Sequence, residues 1–177
     1  MQSIAETNAE SLPMSIEDST LVRRVLSLDP GGTTGYCNGW IYRGDRLKLY
    51  VDQAEWSPLA LYDVLEAHCS IDSSPLSIIY EGFSYRNRPR MGLDLTPVKL
   101  IGIIELYKER YEPFVEFTMQ SAATGKAFYT DDRLKQVGAY KPGKQHGRDA
   151  TRHLLQWATH GAGSQYIDMP YATIEME

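Results

Sequence analysis

The stretch that decides the fold is Arg24-Val25-Leu26-Ser27-Leu28-Asp29, followed directly by Pro30-Gly31-Gly32-Thr33-Thr34-Gly35. Its first half has the mainly apolar composition of a buried strand, and its second half has the glycines and threonines of a tight turn. Asp29 stands where the strand meets the turn. Because a buried carboxylate is costly unless it is paired or binds a cation, Asp29 is the first candidate for chemistry.

The glycine-rich turn has three interpretations. Glycine permits positive φ and lets another group approach the backbone closely, so Asp29 can hold a metal beside a turn between two antiparallel strands. Backbone N–H groups and threonine hydroxyls in such a turn can instead contact a phosphate. The third interpretation is an ordinary hairpin in which the aspartate accepts turn hydrogen bonds.

Two further acids lie at comparable positions. Glu81 follows the short, β-branched run 76–80, which is typical of a central strand covered on both faces. Asp149 lies three residues after His146 at the start of a helical segment, so both face one side of that helix. Taken singly, Glu81 can mark where a chain meets water and Asp149 can serve the helix dipole. Joined with Asp29, they supply the donors that a site for hard divalent cations needs.

Turn signals and hydrophobic periodicity divide the rest of the chain into strands and helices. The predicted elements are, in chain order, strands at 24–28, 36–42 and 47–51, a helix beginning at Ser57-Pro58, a strand at 76–80, a helix at 96–107, a strand at 114–119, and helices at 131–137 and 147–159. This order predicts an α/β fold, in which helices pack on a mixed sheet.

The bulk composition suits a soluble, one-domain protein. The chain has 177 residues, of which 42% are hydrophobic and 23% are charged. No apolar run approaches the roughly 20 residues of a membrane span, and the N-terminus lacks a secretory signal pattern. Cys37 and Cys69 are too few for a disulfide framework or a cysteine zinc site. We therefore expect a reducing, cytoplasmic setting and no membrane partner.

The charge is distributed unevenly along the chain. The net charge is -5, but residues 1–20 and 161–177 contain acids and no lysine or arginine. The stretch between them carries all 18 basic residues, a mildly basic balance that is compatible with nucleic acid. We expect a disordered acidic N-terminal tail at 1–20, one domain at 21–160 and a C-terminal tail at 161–177.

Basic and aromatic side chains follow Glu81 and surround the last helix. Arginines beside aromatics suit a loop that contacts a nucleic-acid backbone and stacks on a base, although a solvated loop has a similar composition. A helix start also favours phosphate. The candidate DNA-binding residues from these two regions are Phe83, Tyr85, Arg86, Arg88, Arg90, Lys141, Lys144, Arg148 and Arg152.

In combination, the chain resembles the RuvC-like Holliday-junction resolvases, which have the RNase H-like fold. The matching features are Asp29 with its glycine turn, Glu81 after Ile78-Ile79-Tyr80, and the late string His146-Gly147-Arg148-Asp149-Ala150. They span roughly residues 24–158 in the family's order. The resemblance implies a mixed five-stranded sheet, with a three-strand antiparallel meander plus two parallel strands, flanked by helices. It also implies a catalytic set that binds two Mg²⁺ ions, with Mn²⁺ tolerated, and that consists of Asp29, Glu81, His146 and Asp149.

The function implied by the resemblance is metal-dependent, structure-selective cleavage of DNA. The substrate is a four-way junction or another branched DNA such as a flap or fork, in DNA recombination or repair in a bacterial or phage-infected cell. Phe83 matches an aromatic wedge, and Gln120 and Lys126 lie near a stretch where the family often carries a catalytic lysine. Lys126 is also a candidate DNA-binding residue. Two symmetric cuts are easiest for a homodimer; the helix around Gly102 is its candidate interface, or is ordinary core.

Two other function classes stay open. The string Asp-Pro-Gly-Gly-Thr-Thr-Gly at 29–35 also resembles the first phosphate loop of actin-like ATPases and sugar kinases. Those proteins need a second phosphate loop and a nucleoside pocket, for which this chain is short. The other class is a non-catalytic RNase H-like DNA-binding module, which has no physical reason to keep a complete set of crowded acids. The preferred DNA structure and cleavage sequence are left open.

Overall fold

The computed structural model describes residues 20–70, 74–83 and 94–177. Its strands and helices are, in chain order, β1 (Leu21–Asp29), β2 (Thr34–Tyr42), β3 (Arg46–Ala54), α1 (Pro58–Ser70), β4 (Leu76–Glu81), α2 (Thr96–Tyr111), β5 (Val115–Gln120), α3 (Ala122–Phe128), α4 (Asp131–Gln136), α5 (Gln145–His160) and β6 (Thr173–Met176). The strands form a sheet in the order β5-β4-β1-β2-β3-β6.

The sheet is mixed, as the order of elements predicts. β1, β2 and β3 form an antiparallel meander, and β4 and β5 extend it in parallel on the other side of β1. The predicted α/β, RNase H-like arrangement is therefore confirmed. The run Leu76–Tyr80 is buried throughout, which agrees with the prediction of a strand covered on both faces.

Helices cover the two faces of the sheet and create two cores. On one face α5 packs against the meander, and Leu154 and Trp157 are fully buried there. On the other face α1 and α2 cover β1 and β4 through residues such as Leu61 and Leu100. Each fully buried side chain of this size contributes about 1.5–3 kcal/mol. The amphipathic α5 is thereby held across the strand that ends in Asp29.

The chain after α5 differs from the predicted tail. Ile167 is buried in the core under α5, and β6 pairs in parallel with β3, with Ile174 opposite Leu47. Residues 161–177 therefore belong to the fold, and the sheet has one strand more than the five predicted. The acids of this segment suggested a tail, but its scattered apolar residues pack inward. Residues 1–19 of the predicted N-terminal tail lie outside the described residues.

The helix boundaries follow local signals where those signals exist. Ser57 Oγ accepts a hydrogen bond from the backbone N of Ala60 at 3.1 Å, as predicted for the start of α1. α3 was not predicted, because a seven-residue helix containing Gly125 has little periodicity to read. Across the part of the chain that the structure describes, no helix combines the length and apolarity required to cross a bilayer.

Candidate metal centre

Two of the predicted acids end neighbouring strands. β1 and β4 run in parallel with Leu28 opposite Tyr80, so the next residues, Asp29 and Glu81, leave the sheet side by side. Asp29 is buried, with 9% relative exposure, and the Glu81 side chain is 20% exposed. The carboxyl ends of parallel strands are where open α/β sheets bind their ligands, so both acids stand at the expected edge.

The first turn of α5 brings the other two predicted residues to this edge, and glycines allow the close approach. A Cβ added to Gly35 would lie 1.9 Å from the backbone O of His146, and one added to Gly147 would lie 2.7 Å from the backbone O of Asp52. Only glycine fits at either position. The Gln53 side-chain oxygen accepts a hydrogen bond from the backbone N of His146 at 3.1 Å, which fixes the helix start against β3.

Three of the four predicted residues meet at one point. Asp29, His146 and Asp149 each offer a ligand atom, and these atoms all lie within 4.8 Å of one another. His146 Nδ1 lies 2.9 Å from Asp29 Oδ2. Burial raises the pKa of the Asp29 carboxyl above its ordinary value, the hydrogen bond from His146 opposes this rise, and the charges of Glu81 and Asp149 add to it. An added cation would relieve this crowding of negative charge.

The turn after Asp29 is held by its own hydrogen bonds. Thr34 Oγ1 donates to the backbone O of Gly31 at 3.2 Å and lies 3.4 Å from the Gly31 N–H, and Thr34 is fully buried. Positive φ among the described residues occurs at Asp45 and at glycines 44, 138 and 143, so the glycines of this turn do not use it. Close approach at Gly35 is confirmed instead, and the buried hydroxyl of Thr34 is engaged by the backbone of Gly31.

Asp149 carries two cationic partners. Arg152 NH1 bonds Asp149 Oδ1 in the interior, and Lys126 Nζ lies 3.1 Å from Asp149 Oδ2. Arg152 also bonds Asp131 and donates from Nε to the backbone O of Tyr129 at 2.6 Å. The buried Arg152 therefore fixes one oxygen of Asp149. The Lys126 side chain is 54% exposed, so the other oxygen is held by a partner that can move.

Glu81 has a different partner from the three clustered residues. Its Oε2 lies 3.0 Å from Nε2 of His153, a side chain that is almost fully buried, with 1% of its surface exposed. On the other edge of the ring, His153 Nδ1 lies 2.8 Å from Gln120 Oε1. Glu81 is nonetheless close enough for its charge to raise the pKa of Asp29. Glu81, the fourth predicted ligand, is thus at the site, and its carboxylate is bound by the buried side chain of His153.

Apart from Arg148 and Arg152, the predicted DNA-binding residues fall into three groups. Phe83, 43% exposed, lines a hollow of about 320 Å³ together with Glu81 and Lys126. Lys144 lies near the helix start with Nζ 2.7 Å from Asp52 Oδ1, and Lys141 Nζ donates to the backbone O of Glu177 at 3.3 Å. The third group lies outside the described residues and comprises Tyr85, Arg86, Arg88 and Arg90.

The structure corrects the interpretation of two arginines as DNA contacts. Arg152 is 9% exposed and is engaged by Asp149 and Asp131. The Arg148 side chain is 13% exposed, and its NH1 donates to the backbone O of Lys141 at 3.0 Å. Their basic character suggested a surface role, but α4 and the linker before α5 cover them. Arg152 therefore holds Asp149 from inside, whereas Arg148 contacts Asp131 and the linker before α5.

Sequence reasoning assigned no function to His153 and only a loose one to Gln120 and Lys126. Two signals in the sequence point to His153 and Gln120. His153 follows Asp149 by four residues and so shares its helix face, and Gln120 ends a third parallel strand. Gln120 pairs with Glu81 in the sheet. Three adjacent strands therefore end in Asp29, Glu81 and Gln120. The unpredicted α3 delivers Lys126.

Comparisons with known proteins bear on the fold. No protein-family model matches the chain, and no curated protein matches it in sequence. Among solved structures, it is similar to RuvC from Thermus thermophilus, with a TM-score of 0.53 and 16% identity over 76% of this chain and 93% of that one. The chain has a RuvC-type, RNase H-like fold.

Two further solved structures are also similar. RuvC of T. thermophilus in complex with a Holliday junction substrate matches with a TM-score of 0.55 and 14% identity, over 76% of this chain and 92% of that one. The yeast mitochondrial Holliday junction resolvase Ydc2 matches with a TM-score of 0.49 and 10% identity, over 78% and 79% of the two chains. At identities this low, the similarity to the two RuvC structures shows the fold alone.

Proposed function

We propose that this chain is a divalent-metal-dependent endonuclease for branched DNA, with Asp29, Glu81, His146 and Asp149 at its centre. The observation that carries the proposal is the meeting of three of these side chains within 4.8 Å at the carboxyl end of β1. The likeness to RuvC, which has been solved with a Holliday junction substrate, supports the choice of a four-way junction as the substrate class, with flaps and forks beside it.

The donor set fits Mg²⁺. Carboxylate oxygens are the ligands that Mg²⁺ prefers, and one imidazole makes Mn²⁺ acceptable as well. Asp29 and Asp149 would hold the ions, with Glu81 and His146 completing a site for two. Bound there, the metal supplies an activated water and stabilises the charge of the phosphodiester oxygens. Among the described residues, the three acids Asp29, Glu81 and Asp149 outnumber the two nearby cations, Arg152 and Lys126, which is the electrostatic reason for a cation to bind.

The chain's own residues have separate tasks around this centre. Asp29 anchors the site, because its position is fixed by β1 and by the hydrogen bond to His146. The His146 side chain is 41% exposed, so it can also exchange a proton with water or with a leaving oxygen. Lys126 reaches from α3 to Asp149 and is, among the described residues, the cation best placed to contact the DNA phosphate next to the site.

The cleft beside the centre supplies a surface for DNA. The hollow lined by Glu81, Phe83 and Lys126 opens directly next to the acids. Phe83 offers an exposed ring for stacking on a base at a branch point. Lys141 and Lys144 add positive charge at the start of α5. We propose that the duplex arms lie along this side, since phosphate contacts dominate the affinity for DNA.

We further propose that the chain acts as a homodimer through α2. Leu100 and Ile104 on this helix are buried in the core, whereas Val98 and Leu106 are 43% and 55% exposed. Gly102 lies between these two exposed residues, and a Cβ added there meets nothing within 4 Å. Sedimentation at micromolar concentration, with and without junction DNA, tests this proposal. A monomer under both conditions would contradict it.

Cleavage of a panel of DNAs tests the activity. Four-way junctions, forks, flaps, duplex and single strands are incubated with Mg²⁺, with Mn²⁺ and with EDTA. We expect metal-dependent cuts in branched DNA that are abolished by Asp29→Asn, with junctions cut best. Junction binding without a cut under every metal condition would favour the non-catalytic module instead. ATP-dependent protection from thermal unfolding would favour the kinase-like class.

A further inference from the structure

A polar chain runs from the interior of the protein to the proposed metal centre. His153 lies on α5 and is almost fully buried. Its ring bridges the ends of two neighbouring strands, with Nδ1 2.8 Å from Gln120 Oε1 on β5 and Nε2 3.0 Å from Glu81 Oε2 on β4. Gln120 and Glu81 are themselves partners in the sheet. Three elements therefore meet on one imidazole.

The Gln120 amide fixes the orientation of the ring. Gln120 Nε2 donates to the backbone O of His153 at 3.2 Å, so the amide oxygen is the atom turned toward the ring. The amide thus holds the ring edge that carries Nδ1, at 2.8 Å from Gln120 Oε1. The ring cannot rotate about its axis without losing this bond. Nε2 is consequently directed at Glu81 by the sheet.

We propose that His153, held by Gln120, is a positioning residue that fixes the carboxylate of Glu81 for cation binding. The inference deepens the proposed function and rests on it. His153 engages Oε2 of Glu81, which leaves the other carboxylate oxygen for the cleft. Partners that orient a metal-binding side chain in this way typically control metal affinity by 10- to 100-fold.

A role in packing alone does not account for this arrangement. An apolar side chain would fill the same volume without the cost of burying a polar ring. Both ring nitrogens instead contact polar partners, one of which, Glu81, lines the cleft. Gln120 is also buried, at 8% exposure. This chain of contacts ends at Glu81, a proposed metal ligand. Orienting that ligand explains why the buried residues of the chain are polar.

Two substitutions separate the two ends of the ring. Asn at position 153 places its amide nitrogen near the position of Nδ1 and keeps the bond to Gln120, but it does not reach Glu81. Gln at the same position is one bond longer, so its amide nitrogen reaches the position of Nε2 and can donate to Glu81. The two variants therefore match in polarity and differ in whether Glu81 is held.

The experiment measures Mn²⁺ affinity of the full chain without DNA, by electron paramagnetic resonance of free Mn²⁺, together with thermal unfolding. We expect His153→Asn to weaken Mn²⁺ binding by 10- to 100-fold and His153→Gln to restore most of it. Equal affinity of His153→Asn and wild type, with Glu81→Gln weakened, would overturn the inference alone. No Mn²⁺ binding by wild type would overturn it together with the proposed function.

A second variant keeps the test decisive if both substitutions at position 153 unfold the protein. Gln120→Met has a similar shape and removes the tether of the ring, while His153 stays in place. We expect weaker Mn²⁺ binding with a folded far-UV spectrum. Wild-type affinity in this variant would show that the tether does not position Glu81, and the inference would fail.

Discussion

The two ends of the same three parallel strands carry polar clusters of opposite character. At their amino ends, Arg23 NH1 on β1 lies 2.7 Å from Ser77 Oγ on β4 and 3.2 Å from Glu116 Oε2 on β5. At their carboxyl ends the corresponding positions are Asp29, Glu81 and Gln120. The first cluster pairs one acid with one cation. The second brings together three acids when α5 adds Asp149.

The difference shows what distinguishes a structural cluster from a functional one. Ser77 donates to Glu116 at 2.9 Å, so the acid at the amino ends is held by both a cation and a hydroxyl. At the carboxyl ends, the two cations nearby among the described residues, Arg152 and Lys126, both contact Asp149. In the same part of the chain, the polar partner of Asp29 is His146. The carboxyl ends, where the acids outnumber the cations among the described residues, are therefore the ends that need a bound metal ion. Substitutions at the two ends should therefore affect different properties.

The largest expected contrast is in cleavage activity. Asp29→Asn should lower Mg²⁺-dependent cleavage of branched DNA by about 10³-fold or more, because metal binding supplies several kcal/mol of transition-state stabilisation. Glu116→Gln, at the balanced end, should leave the rate within about twofold of wild type. Single-turnover cleavage rates at saturating enzyme provide the measurement. Comparable losses in the two variants would erase the proposed distinction between the ends.

The second contrast is in the response of stability to metal. Addition of Mn²⁺ or Mg²⁺ at about 100 times the dissociation constant should stabilise wild type by about 2.7 kcal/mol, because the ion binds the folded state. Glu116→Gln should show the same gain, and Asp29→Asn should show little. Urea unfolding with and without metal measures it. An equal gain in Asp29→Asn would place the ion elsewhere.

The third contrast is in intrinsic stability without metal. Glu116→Gln weakens an ion pair to Arg23, whose side chain is only 13% exposed, and should cost about 1–2 kcal/mol. The matched change Asp29→Asn removes a crowded, buried charge and should cost less or stabilise the protein. The free energy of unfolding in EDTA measures both. A larger loss for Asp29→Asn than for Glu116→Gln would contradict this order.

The smallest effect is a dependence on pH. The folded-state pKa of Asp29 is raised, chiefly by burial, so its contribution to stability is complete below its unfolded pKa and is lost as pH rises through the folded pKa. In EDTA, the stability of wild type relative to Asp29→Asn should therefore decline from acid toward neutral pH. Urea midpoints between pH 4 and 7 measure this trend. The opposite slope would show that His146 outweighs burial.

The parts that sequence could predict are those with strong local signals. Strand β1 ends in an acid beside glycines, and the regular apolar stripe of α5 places His146 and Asp149 on one face, so their meeting followed from pattern and resemblance. The close approach of α5 to the sheet was foreseeable from glycine at Gly35. These signals are local, and tertiary packing agrees with them.

The parts that sequence missed depend on long-range packing. β6 has four residues and forms only because β3 offers a free edge, and acids in the same segment suggested a tail. His153 looks like any buried helix residue until Gln120 and Glu81 are brought to it from two other strands. Arg152 is a basic residue of the kind that contacts DNA, but α4 covers it. Such roles are set by neighbours more than 20 residues away in the chain.

The most direct test of the central claim is anomalous diffraction from crystals grown with Mn²⁺. The claim is that folding builds a cation site from Asp29, His146 and Asp149, with Glu81 beside it. We predict anomalous peaks within coordination distance of the Asp29 and Asp149 carboxylates, lost in Asp29→Asn crystals. Peaks only at other acids, or none at these carboxylates under saturating Mn²⁺, would contradict the account.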